Sequence, residues 1–148
     1  MLKAFVLTVV FVLSFSKAEF FKAMESSDAK LIVSIEQKVA SSSDSDEKRA
    51  YYGAILMKSA DFQKTPGEKL KKFKQGKELL ESVIASNPNQ VEYRFLRLMV
   101  QENAPKIVKY DQNIEEDCKL IKSNLSKVSS ELKNAISNYT KTSKNLKL

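Results

Sequence analysis

The chain offers few residues able to do chemistry. Its 148 residues include no histidine, one cysteine, 18 acidic and 25 basic residues. Without histidine it lacks the commonest general base, the commonest metal ligand and every Ser-His or Cys-His nucleophile pair. Cys118 alone cannot form an internal disulfide or, without histidine, an ordinary zinc site. The glycines Gly53, Gly67 and Gly76 stand too far apart for a phosphate-cradling loop, and no G-x-S-x-G elbow occurs. Carboxylates remain. Glu115, Glu116 and Asp117 are consecutive on a predicted helix, so they point about 100° apart and do not converge. Asp44 and Asp46 have the D-x-D spacing of a calcium loop but lack its glycine and distal glutamate. The expectation is no catalytic, metal or cofactor residue and no enzyme. A Ser-Lys pair or a carboxylate site is the arrangement the composition leaves open.

Basic residues offer recognition chemistry instead. In "NPNQVEYRFLRLMVQENAP", residues 87–105, Arg94 and Arg97 sit among apolar and aromatic neighbours. On a helical wheel, Val91, Phe95, Leu98 and Met99 form a central stripe that Tyr93, Leu96 and Val100 widen to roughly 220°. Arg94, Arg97 and Gln101 share the strip that remains. Either they are its wet edge, pairing with Glu115, Glu116 or Asp117, or their planar forks receive an anionic partner. Tyr52, Arg94 and Arg97 are the candidate partner-binding residues. "KLKKFKQGK", residues 69–77, is the strongest basic run. Its wheel turns Lys71 and Lys74 outward and Leu70, Phe73 and Leu80 inward. Glu78 and Glu81 follow four residues after Lys74 and Lys77 and would partly neutralise them. Lys71, Lys72 and Lys74 are the candidates for an anionic surface of lipid, glycan or nucleic acid.

These residues need helices to position them. No segment alternates with period two between turn residues, so no strand is expected. Helices are predicted at about 28–40, 46–64, 66–86, 90–103, 112–124 and 129–142. Thr65 caps the third, Pro66 suits its first turn, and Glu68 completes a capping box. The second and fourth helices are apolar almost all round. The fifth and sixth carry narrow stripes, Ile114, Cys118, Ile121 and Leu125, then Val128, Leu132, Ile136 and Tyr139. The expectation is an all-α fold of about five to six antiparallel helices, central ones flanked by outer ones, as stacked hairpins or a compact bundle.

The spacing of Gly76, Leu80, Val83 and Pro88 resembles the second helix of a tetratricopeptide repeat, and residues 73–98 resemble that helix running into the next repeat. Leu80 stands where the repeat carries an aromatic and Val83 where it carries alanine. The expected first-helix pattern would fall across Thr65-Pro66-Gly67. Residues 70–125 also resemble short exported bacterial proteins, a likeness that brings no activity. The resemblance implies hairpin stacking and a groove for a protein or peptide of the cell envelope.

The first residues read as an export signal. Lys3 precedes an apolar run from Ala4 to Phe15, and Ser16-Lys17-Ala18 is a small-x-small exit. About a dozen apolar residues fall short of the roughly twenty needed to span a bilayer. The expectation is a signal at 1–18, cleaved after Ala18. A single domain at 19–148 follows, with a polar linker near 41–46, a fraying C-terminal tail and no membrane span. Losing Lys3 and Lys17 takes the net charge from +7 to +5. That modest excess argues against a dedicated nucleic-acid binder. The function expected is a non-catalytic exported interaction module, periplasmic or secreted. A basic-surface binder and a carrier of small apolar ligands are the alternatives.

Overall fold

Thr65 opens the longest helix. Its hydroxyl accepts from the Glu68 backbone N–H, and the Glu68 carboxylate accepts from the Thr65 N–H. The cap fits the expected start, and the helix runs from Pro66 to Ser86. The computed structural model describes residues 15–148, and all regular elements among them are helical. They are α1 (Lys17–Glu25), α2 (Ala29–Ala40), α3 (Asp46–Ser59), α4 (Pro66–Ser86), α5 (Val91–Asn103), α6 (Ile114–Asn124) and α7 (Ser130–Tyr139). Three 3-10 turns, Ala60–Phe62, Lys106–Val108 and Leu125–Lys127, complete the elements of the described residues. The all-α class is as expected, with seven helices among the described residues where five to six were counted. Most of the expected export segment, residues 1–14, lies outside the described residues.

The additional helix is α1. Ser16 and Glu19 form a capping box at its start, and Phe20, Phe21, Ala23 and Met24 are buried along it. Of the residues that read as an export exit, Ser16 is the N-cap and Lys17 and Ala18 lie in the first turn, with Ser16 and Ala18 exposed. Phe15 is buried against Phe20 and Tyr51, and Lys17 pairs with Glu47 at 2.7 Å and Glu92 at 2.8 Å.

The α3–α4 hairpin is the spine. Asp46 at the start of α3 accepts from Asn87 just past α4, so the two run antiparallel. They cross closely at Gly53 and Gly76. A Cβ on Gly53 would lie 2.6 Å from the Gly76 carbonyl oxygen, and one on Gly76 2.5 Å from the Gly53 oxygen. No other residue fits either position without moving backbone. The second hairpin is α5–α6, where Gln101 near the end of α5 bonds Asn113 at the start of α6. Tyr51 donates to Glu92 towards the starts of α3 and α5, while Met57 and Val100, near their ends, line one concavity. Those two helices run in the same direction.

α3 touches α2, α4 and α5, and α5 touches α3, α4 and α6. That matches the expectation that the widest apolar arcs take the centre. An aromatic cluster fills the middle: Phe20 lies 4.5 Å from Tyr51, Phe21 5.4 Å from Phe95, and Phe95 5.6 Å from Tyr139, centroid to centroid. The polar segment 41–46 is a short connection, with Ser42 buried and Ser45 capping α3.

The C-terminal tail is tied back rather than loose. Glu102 accepts from Ser143 Oγ at 2.8 Å and from the Asn145 backbone at 2.9 Å, and Leu146 is fully buried. A polar tail was expected to fray because its partner, Glu102, is 41 residues upstream of Ser143. Among the described residues no helix is long and apolar enough to cross a membrane.

Candidate functional site

The strip carrying Arg94 and Arg97 is not a wet edge. α6 covers it, leaving Arg94 7% and Arg97 4% exposed. Arg97 Nε reaches Asp117 Oδ2 and Nη2 reaches Oδ1, both at 2.7 Å. Arg94 Nη1 reaches Asp117 Oδ1 at 2.7 Å and Glu116 at 2.9 Å, while its Nε donates to the Pro88 carbonyl. Asp117 itself is sealed from solvent. Burial works against the charge on Arg97, but the bonds and field of Asp117 outweigh it and raise its pKa. Glu116 stays exposed, and the bond from Arg94 holds its carboxyl below the usual range. A second layer ties in α4: Arg97 also pairs with Glu81 at 3.0 Å, and Tyr110 donates to the same carboxylate. Of the carboxylates expected beside these arginines, Glu116 and Asp117 are used and Glu115 is not. With Nε and Nη1 of Arg94 and all three nitrogens of Arg97 bonded inside the domain, both guanidiniums act as a clamp between α4, α5 and α6.

Tyr52 is not brought together with them. It is half-buried beside α4, near Gln75, Leu79 and Ser82, with the Lys48 ammonium 5.3 Å from its ring. The basic run is also redistributed. Lys72 is bound to Glu36 of α2 at 2.9 Å. Lys77 lies over the Tyr110 ring, and Glu81 is taken by Arg97. Lys71 and Lys74 remain exposed, with no ion pair among the described residues. Phe73 and Leu80 point inward as expected, but Leu70 is 45% exposed. The wheel placed Leu70 on the inner face. The first turns of α4 extend past the end of α3, so no helix covers that part of the face.

Leu70 instead lines an apolar cleft. The end of α3, the 3-10 turn Ala60–Phe62 and the start of α4 form one side, with Met57, Ala60 and Phe73 as its buried floor. Pro105 and the turn Lys106–Val108 form the other. Pro105 cannot continue α5, and Lys109 takes a left-handed conformation at φ 49° to send the chain back. Such a conformation costs a non-glycine residue about 1–2 kcal/mol. The reversal returns Tyr110 to the core against Phe73 and leaves Ile107 87% exposed. Phe62, 40% exposed, stands nearby on the turn before α4. The cleft has a volume of about 310 Å³.

It continues into other concavities. A cleft of about 180 Å³ shares Met57, Asp61, Phe73 and Pro105 with it and adds Met24, Lys58 and Asn103. A third, also about 180 Å³, shares those last three and reaches Glu102, Tyr139 and Lys144. Lys58 is half-buried with no carboxylate in ion-pair range among the described residues. Burial lowers its pKa, and Asp61 pulls it partly back. The result is a track along one side of the molecule, apolar at the Leu70 end and polar at the Tyr139 end.

No protein-family model, curated protein or solved structure matches this chain. The site rests on its own geometry. Among the described residues no group of three or more cysteine and acidic side chains is placed to hold a metal ion. The sequence reading turns Leu70 inward and gives no site role to Ile107 of the cleft or to Phe62 and Lys58 of the adjoining concavity. The only signal was Ile107-Val108, apolar residues between Pro105 and Lys109 that belong to no helical stripe.

Proposed function

We propose that this chain is a non-catalytic helical interaction module, exported from the cell, whose apolar cleft takes a segment of another protein. One observation carries the reading: Leu70 and Ile107 stand exposed at a concave apolar floor, with exposed Phe62 lining the adjoining concavity. Exposed apolar side chains rimming a preformed pocket are the usual anchor site of a protein–protein contact. Domain-internal pairs occupy Arg94, Arg97 and Lys72, which leaves the cleft as the better docking site.

Two hairpins with α3 and α5 running the same way support tetratricopeptide-like packing, as does the Gly53–Gly76 crossing. Lys3, the apolar run and the small residues Ser16 and Ala18 support export.

A photo-crosslinking residue at position 107 tests the reading, with position 52 as the comparison. Crosslinks in an envelope extract to one protein from 107, lost in Leu70→Glu with the helical circular dichroism unchanged, support the cleft. Crosslinks from 52 and none from 107 would move the partner to the α3–α4 side. N-terminal sequencing of the cell's mature protein tests cleavage after Ala18, and a chain still beginning at Met1 would leave the segment as an uncleaved anchor.

A second reading has its own observation. Lys71 and Lys74 are exposed and free of ion pairs among the described residues. Binding to anionic vesicles that vanishes with salt and with Lys71→Glu plus Lys74→Glu, and survives Leu70→Glu, would favour a basic-surface binder.

A further inference from the structure

We infer that the partner segment seated in the Leu70–Ile107 cleft is acidic, with large apolar anchors flanked by carboxylates. The inference rests on the cleft reading above and adds the chemistry of the occupant.

The rim supplies the argument. Lys69 lines the cleft directly, and Lys106 stands between the lining residues Pro105 and Ile107. Lys64 lies between exposed Phe62 and lining Pro66, and Lys109 ends the turn that displays Ile107. None of the four side chains makes an ion pair among the described residues. Elsewhere Lys17, Lys72, Arg94 and Arg97 pair with carboxylates, while Lys71 and Lys74 stay free of ion pairs among the described residues. Around the cleft Asp61 is the one carboxylate among the lining residues. Glu68, in the first turn of α4, is turned back to cap Thr65. An apolar floor lined by Lys69, with Lys64, Lys106 and Lys109 at neighbouring chain positions, is complementary to apolar side chains between acidic ones. The same rim repels a basic segment.

Shape decides against a bilayer as the occupant. The floor is concave, and about 310 Å³ sits at the low end of small-ligand pockets. That space suits a few inserted side chains, which is how anchor residues bind. It does not present a flat or convex apolar face to lipid.

The test uses three fluorescein-labelled peptides of alternating residues, glutamate–leucine, glutamine–leucine and lysine–leucine, titrated against the full chain by fluorescence anisotropy. The glutamate–leucine peptide should bind at least about tenfold tighter than the glutamine–leucine peptide, an advantage that shrinks with salt. The lysine–leucine peptide should not bind. Lys69→Glu with Lys106→Glu should remove the acidic preference. Lys106 is exposed and Lys69 half-buried, neither makes an ion pair among the described residues, and circular dichroism should be unchanged. Ile107→Ser should weaken the glutamate–leucine and glutamine–leucine peptides alike. Equal binding of those two would overturn the acidic preference and leave the cleft reading standing. No binding by any peptide would overturn both. Capture of phosphatidylglycerol vesicles without peptide binding would make the occupant an anionic membrane and overturn the inference.

Discussion

Arg97 holds Asp117 through two parallel bonds, Nε to Oδ2 and Nη2 to Oδ1, each 2.7 Å, at a carboxylate with no solvent exposure. Arg94 binds the same carboxylate from one turn earlier. A single buried anion thus bridges two nearly buried cations, with Glu116 and Glu81 supplying the remaining negative charge, and fixes α6 on α5. Such an arrangement is costly to break, because a guanidinium left without its partner has already lost its water.

Asp117→Ala should therefore lower the unfolding free energy by about 3–5 kcal/mol. Replacing Asp117, Arg94 and Arg97 together by apolar residues of similar volume should cost much less, since no charge is stranded. Urea unfolding midpoints check both. A loss below about 1 kcal/mol for Asp117→Ala, an ordinary single-mutation effect, would mean that water reaches the site.

The Gly53–Gly76 crossing makes a second prediction. Gly76→Ala adds a methyl 2.5 Å from a backbone oxygen, so α3 and α4 must move apart. Helix propensity alone would favour alanine by about 1 kcal/mol. Overpacking of a close contact costs typically about 1–3 kcal/mol, and more where only backbone can yield. The net result should be destabilisation. Gly67→Ala is the control: nothing lies within 4 Å of that site, so the change should be neutral or mildly stabilising. Thermal unfolding of the two variants side by side would decide. Equal melting temperatures would show that the hairpin relaxes freely.

Alkaline pH should destabilise the fold. Burial pushes the Cys118 thiol up to about 11 from an ordinary 9.0. Burial also raises Tyr51, Tyr110 and Tyr139, with their glutamate acceptors adding to the effect. A group whose folded pKa is raised favours the folded state fully below its unfolded pKa. That contribution is lost as pH rises through the unfolded value towards the folded one. Stability should thus hold up to about pH 9 and fall above it, as the unfolded chain ionises thiol and phenols that the native state keeps neutral. Denaturant midpoints from pH 7 to 11 would show this, and a flat profile would contradict the burial. Native Cys118 should also react slowly with iodoacetamide at pH 8, where a thiol of pKa about 11 is about one part in a thousand thiolate.

The residues just before Glu19 should contribute stability. A chain beginning at Phe15 keeps a buried phenyl ring, the Ser16 cap and the Lys17 pairs with Glu47 and Glu92. A chain beginning at Glu19 loses them. Burying a phenylalanine contributes about 1.5–3 kcal/mol and an N-cap about 1 kcal/mol. The shorter chain should be less stable by roughly 2–4 kcal/mol on these terms. Equal stability of the two would show that Phe15 to Ala18 are dispensable to the domain.

Much of the helical layout could be read locally. Asp28 and Thr65 accept bonds from the first turns of α2 and α4, and Asn87-Pro88-Asn89 separates α4 from α5, because capping and proline act over three or four residues. The apolar arcs of α3 and α5 likewise announced central helices, since such arcs need neighbours on several sides. α1 is not among the helices expected from the sequence: Ser16-Lys17-Ala18 reads there as a small-x-small exit, although Ser16 and Glu19 also have the spacing of a capping box.

Direction on a wheel, however, says where a side chain points and not what stands there. Arg94 and Arg97 lie on the strip the sequence assigned them, but α6 covers it. Leu70 lies on an inward face with no helix opposite. Glu81 follows Lys77 by one helical turn, yet binds Arg97 and Tyr110. The sequence by itself determined the helices and their apolar faces, because those follow from short-range hydrogen bonding and periodicity. The tertiary structure decided the charge partners, the glycine crossing and the cleft. Each joins residues distant in sequence, such as Met57, Leu70 and Ile107, that meet only once the hairpins have packed.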